Sequence, residues 1–175
     1  MTDLYASIGQ QLEPFAAHMA GNPLASLVAV KGMPGRAERD GGTPFSGEDG
    51  FALDKAFGRL GWGFGSQDTR VWLGILLPPA SEESPRGGRS ALDLRLVCEI
   101  VDPLAIVALD EPARIALIDA FGPSEGSLPT ELAPGAEAQA LGRRLVSVED
   151  FEASLADEAA KQKAWAQLKR CTFPQ

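Results

Sequence analysis

Apolar positions recur along this chain in two alternating rhythms. Leu4, Ile8, Leu12, Phe15 and Met19 follow helical spacing and predict an amphipathic helix over 4–19, stopped by Gly21-Asn22-Pro23. The run LASLVAVKG that follows is short and continuously apolar, the pattern of a strand buried on both faces. A glycine- and proline-rich stretch then leads to a helix from Asp49 to Leu60, ended by Gly61. TRVWLGILLPP reads as a second strand closed by Pro78-Pro79. Ser90 is positioned to cap the helix ALDLRLVCEIV, which Asp102-Pro103 ends. LAIVALD is a third strand, and Pro112 and Gly122 bracket the helix after it. A permissive segment, 123–142, leads to a fourth strand, RRLVSVED, and to one long closing helix from Phe151 to Cys171.

Strands alternating with helices predict an α/β fold, here a three-layer α/β/α arrangement around a mostly parallel four-stranded sheet. The crossovers are expected to be right-handed. Ligands of such sheets bind beyond the carboxyl ends of the strands, so the loops after strands one, two and four are where a site is expected. The first of these, between Val30 and Asp49, is long for a compact domain, and loops of that length are usually functional or disordered.

Composition narrows the picture. The chain has 175 residues, enough for a single domain over 1–175 with a real core. No apolar run is long enough to span a bilayer, and the first residues lack a basic region followed by an apolar one, so a cytoplasmic location is expected and no membrane partner. A net charge of −8 disfavours nucleic acid as a partner, because phosphate binding draws on a basic excess or patch. The two cysteines, Cys98 and Cys171, have no CxxC partner. They read as free thiols; no metal site and no cofactor is implied.

Nucleotide-binding and serine-hydrolase chemistry fail on motif. The first loop holds no G-x-x-x-x-G-K-[ST] and no G-x-G-x-x-G, and GWGFGSQD follows a helix rather than a strand. There is no G-x-S-x-G elbow. The single histidine, His18, lies on the first predicted helix without partners and reads as a surface or half-buried residue.

The loop MPGRAERDGGTPFSGEDGFALD nevertheless resembles the first motif of the uracil-DNA glycosylase superfamily, most closely its iron–sulphur-cluster branch. Pro34-Gly35, Glu38, Gly42, Pro44-Phe45, Gly47, Gly50 and Leu53-Asp54 fall on that motif without a gap. LLPPASEESPRGGR is similar to the family's Pro-Pro segment. The third strand with its flanking helices, and the fourth strand with the final helix, agree in order. The resemblance implies a uracil-DNA glycosylase-like fold across nearly the whole chain. It also implies that Gly32, Met33, Pro34, Gly35, Phe45 and Gly47 line a binding loop.

Departures from the family's pattern bear on activity. Aligned on Pro34-Gly35, the acid of the iron–sulphur branch becomes Gly32 and the asparagine of other branches becomes Met33. Neither can orient water or stabilise developing charge. The second strand ends in apolar residues where relatives carry an Asn. The His-Pro turn after the fourth strand is replaced by VSVEDFEASLADE, whose five acids repel phosphate, and the cluster cysteines are absent. Phe45 has two readings of equal standing, the ring on which relatives stack the base or a loop aromatic packed on the core. Glu38 and Asp40 are the carboxylates left for a catalytic role, with a solvated loop charge the favoured reading of both. The expected function is a degenerate, non-excising module for an unknown protein or small-molecule partner. The alternative is a divergent glycosylase acting on uracil or another deaminated base.

Overall fold

The computed structural model describes residues 2–78, 88–122 and 132–175. Its first helix, α1, is Thr2–Leu12, and a 3-10 turn, Glu13–His18, follows it. The helix expected over 4–19 therefore ends early. Pro14 has no N–H to give the preceding turn, so the chain tightens there instead of continuing. Met19–Gly21 then forms a short strand, β1. Next come β2 (Leu27–Lys31), a one-turn helix α2 (Arg36–Arg39) and α3 (Glu48–Arg59). β3 is Leu73–Leu76, and α4 runs from Gly88 to Val101. α4 already begins at Gly88, so Ser90 lies within its first turn and not at the N-cap expected of it; the Pro-Pro loop at 79–87 lies outside the described residues.

β4 (Ala105–Ala108) leads into α5 (Glu111–Phe121), capped by the Asp110 carboxylate, which accepts from the Ala113 N–H at 3.0 Å. β5 (Glu137–Ala140) and β6 (Arg143–Ser147) form a hairpin. Its two turn residues, Leu141 and Gly142, both have positive φ. The expected closing helix is two helices, α6 (Phe151–Ser154) and α7 (Glu158–Leu168). The break comes at Asp157, whose side chain caps α7 through the Ala160 N–H at 2.9 Å. A short polar side chain competes for backbone donors and so starts a helix more readily than it continues one.

The sheet has six strands in the order β1-β3-β2-β4-β6-β5, not the four expected. The four predicted strands form its parallel centre, and β1 and β5 add antiparallel edges. Alternation along β2 divides the core. Val28 and Val30 face α4 and α5 on one side, with Leu94, Cys98, Leu117 and Phe121. Leu27 and Ala29 face α3, α6 and α7 on the other, with Phe45, Phe57, Trp72 and Phe151. That is the three-layer arrangement. Among the described residues no helix is long and apolar enough to cross a membrane.

In the parallel centre the first strand, β2, lies between the second, β3, and the third, β4. Chain connections leave β2 and β4 toward opposite sides of the sheet, and ligand crevices of open sheets form at such a point. The first loop sits there.

Candidate functional site

The residues that organise this crevice begin with Lys31, the last residue of β2. Parity puts its side chain on the Ala29 face of the sheet, where only 3% of it is exposed. A buried ammonium needs partners. It has two, each at 2.5 Å: Glu38 from α2 and Asp49 from the first turn of α3. The Glu152 carboxylate of α6 lies 4.0 Å away and is less buried. Burial alone would lower the Lys31 pKa, but the bonds to Asp49 and Glu38 outweigh it and raise it. Lys31 is therefore a fixed cation at neutral pH and not an amine nucleophile.

Glu38 is not the solvated loop charge expected. Its side chain is buried and holds the loop together, accepting from the Gly35 N–H at 3.0 Å and the Phe45 N–H at 2.8 Å besides binding Lys31. Burial works to raise its pKa, yet Lys31 and the Phe45 N–H prevail and the group is held below the ordinary carboxylate range. Asp40 faces solvent beside Arg36, at 3.7 Å, as expected of a surface charge. Glu152 behaves oppositely to Glu38: burial, then repulsion from Asp49 and Glu38, raises its pKa against the pull of Lys31.

Phe45 lies wholly inside the second core. The ring stands edge-on to Trp72, 5.2 Å between centroids, and the Lys31 ammonium sits over its face at 4.6 Å. Gly74 of β3 makes room, because a Cβ there would come within 2.5 Å of the ring. The Phe45 backbone has φ 59, a conformation uncommon for an aromatic residue. Two buried charges hold it: Glu38 takes its N–H, and Arg70 donates to its carbonyl at 2.8 Å. Arg70 in turn pairs with Asp54, which also accepts from the Trp72 indole at 2.8 Å.

At the loop tip, Gly32 and Met33 donate to the Asp110 carboxylate, which pins the tip to the head of α5. A Cβ at Gly32 would lie 2.4 Å from the rigid Pro112 ring, so no larger residue fits without displacing α5. Met33 and Pro34 are exposed at the lip, Gly35 is buried beneath Glu152, and Gly47 precedes α3 as its N-cap. The space left between Lys31, Met33, Asp110 and Glu152 is about 20 Å³. That admits about one water. Pockets for small ligands usually span roughly 300–1,000 Å³.

The structure thus brings Gly32, Met33, Pro34, Gly35, Glu38 and Phe45 to one crevice and leaves Asp40 outside. His18 is half-buried at the end of the 3-10 turn before β1. Among the described residues no cluster of His, Cys, Asp and Glu is arranged to hold a metal. Cys98 and Cys171 belong to the cores on opposite faces of the sheet, and burial pushes each thiol up to about 12. Sequence reasoning missed Lys31, Asp49 and Glu152. The available signal was a lysine closing an otherwise wholly apolar parallel strand. A charge there has to meet a partner or the strand could not be buried.

A scan against protein-family models and a search of curated proteins return no match to this chain.

Proposed function

We propose that this chain is a uracil-DNA glycosylase-like module that does not excise bases and works by binding a partner. One observation carries the reading: the Lys31 ammonium, neutralised by Glu38 and Asp49, covers the face of Phe45. A flipped base needs a free ring face to stack on, donors and acceptors for its edge, and room to enter. Here the ring face is taken by a side chain of the same protein, and the remaining space fits about one water. In the resemblance, Lys31 aligns with the first glycine of the Gly-Glu-Ala-Pro-Gly-like tip, so a long cation stands where the pattern has no side chain. Glu38 accepts on both oxygens, from Lys31 and the Phe45 N–H at Oε1 and from the Gly35 N–H at Oε2, so its carboxylate is engaged in holding the loop.

The second reading, a divergent glycosylase for a deaminated base, has one observation in its favour. Glu152 is a partly exposed carboxylate of raised pKa at the mouth of the crevice, the kind of group that can act as a general acid. The test is incubation with single- and double-stranded oligonucleotides holding uracil, hypoxanthine or xanthine, followed by alkaline cleavage at abasic sites. The expected result is no cleavage above the enzyme-free blank. Cleavage that Glu152→Gln or Glu38→Ala removes would refute the proposal in favour of the second reading.

A further inference from the structure

Away from the crevice, an open groove of about 530 Å³ runs across the outer helical layer between α3, α6 and α7. Its α3 side is a single stripe: Glu48, Phe51, Ala52, Lys55, Ala56 and Arg59 recur at three- and four-residue steps. The stripe is roughly 16 Å long at 1.5 Å per residue, about three turns of helix. Small residues, Ala52, Ala56 and Ala164, leave the centre of the groove low. Larger apolar groups flank it, with Leu155 and Trp165 half-buried and Phe51 51% exposed. An exposed phenylalanine beside an indole and low alanines is a surface shaped for apolar anchors from another chain.

Charge identifies the occupant. On a chain of net charge −8, the groove is lined by three cations, Lys55, Arg59 and Lys161, against one acid, Glu48. Lys161 has Glu158 at 3.9 Å, whereas Lys55 and Arg59 are exposed and make no ion pair among the described residues. Two adjacent unpaired cations on one helix face repel each other, and an acidic partner relieves that. We infer that this groove docks an acidic amphipathic helix of a partner protein. Its apolar side would lie between Phe51 and Trp165, and its carboxylates would face Lys55 and Arg59. A single-stranded nucleic acid is a poorer fit, because the groove is apolar along its floor and offers only three cations to a continuous phosphate backbone.

This inference rests on the module reading and supplies its surface. The oligonucleotide assay tests the crevice and a peptide assay tests the groove, so either can fail alone. The probe is a fluorescein-labelled peptide of about four helical turns. It carries leucines at i, i+3, i+4 and i+7 and glutamates on the flanking positions. A second peptide replaces every glutamate by lysine. Fluorescence anisotropy should give binding of the acidic peptide and at least about tenfold weaker binding of the basic one. The double variant Lys55→Glu/Arg59→Glu should lose about tenfold in affinity for the acidic peptide and regain binding of the basic one. Phe51→Asp should abolish both. These side chains are exposed, so circular dichroism and melting should match the parent and separate lost docking from lost folding. Equal binding of the two peptides, or none, overturns the inference. So does indifference to the charge reversal, displacement of the peptide by oligo-dT, or a concentration-dependent dimer that Phe51→Asp abolishes.

Discussion

Replacing Lys31 by methionine removes one charge from a buried three-group cluster and keeps most of the side chain's length. The two carboxylates bonded to it at 2.5 Å are then left without their cation. Each keeps some backbone support, Glu38 from the Gly35 and Phe45 N–H groups and Asp49 from Gly50. Breaking a buried pair from one side costs about 3–5 kcal/mol, since the uncompensated charge stays in the interior. With a urea slope of about 2 kcal/mol per molar, the unfolding midpoint should fall by roughly 1.5–2.5 M, read by tryptophan fluorescence. The pH dependence discriminates the cause. In the parent, Lys31 holds Glu38 below its usual 4.5, so the pair's stabilisation is present above that value and is lost as pH falls through the lowered one. In Lys31→Met that carboxylate loses the cation that lowers its pKa while burial still raises it, so its pKa is expected to rise and the native state to take up protons more readily than the unfolded chain. The variant should gain stability from pH 7 down to pH 5, and the gap to the parent should narrow. A midpoint within about 0.3 M of the parent at pH 7, or a gap that widens on acidification, would refute the assignment of Lys31 as a buried, doubly paired cation.

Restoring an acid at the loop tip should not restore chemistry. Gly32→Glu drives a Cβ into the Pro112 ring, so it should cost about 1–3 kcal/mol in thermal unfolding and yield no abasic sites; a stable, excising Gly32→Glu protein would count against the crevice geometry described above. Thiol titration should find neither Cys98 nor Cys171 reactive in the native chain and both reactive in guanidinium, because each is buried with its pKa near 12. Rapid native labelling of either would contradict the core placement.

Much of the layered architecture was legible because it follows from local periodicity. Three short continuous apolar runs and the segment RRLVSVED read as strands between helical segments, and they form the parallel centre of the sheet. The edges were harder. β1 pairs through only three residues and starts at Met19, the last position of the helical spacing that the sequence keeps from Leu4 onward. β5 reads Glu-Ala-Gln-Ala and enters its hairpin through Leu141-Gly142, which lacks the Asn-Gly or Asp-Gly signal of a two-residue turn. The split of the last helix was visible in principle, as Asp157 is a good N-cap residue, but a cap inside an unbroken apolar period is easily passed over.

The sequence by itself determined the α/β alternation, the position of a long glycine-rich loop after the first buried strand, and the absence of a polar side chain at positions 32 and 33 of its tip. It could not determine what fills that loop. Lys31 meets an acid 18 positions away, and the loop tip is tied to Asp110 from 78 positions away. Pairings at such separations leave no trace in a 3.6- or 2-residue period; they exist only once the sheet has set β2 beside β4 and folded α2 and α3 back over Phe45. The physical reason is solvation. A buried ammonium is tolerated only where it is paired, here with two carboxylates, and the tertiary structure decides where they converge.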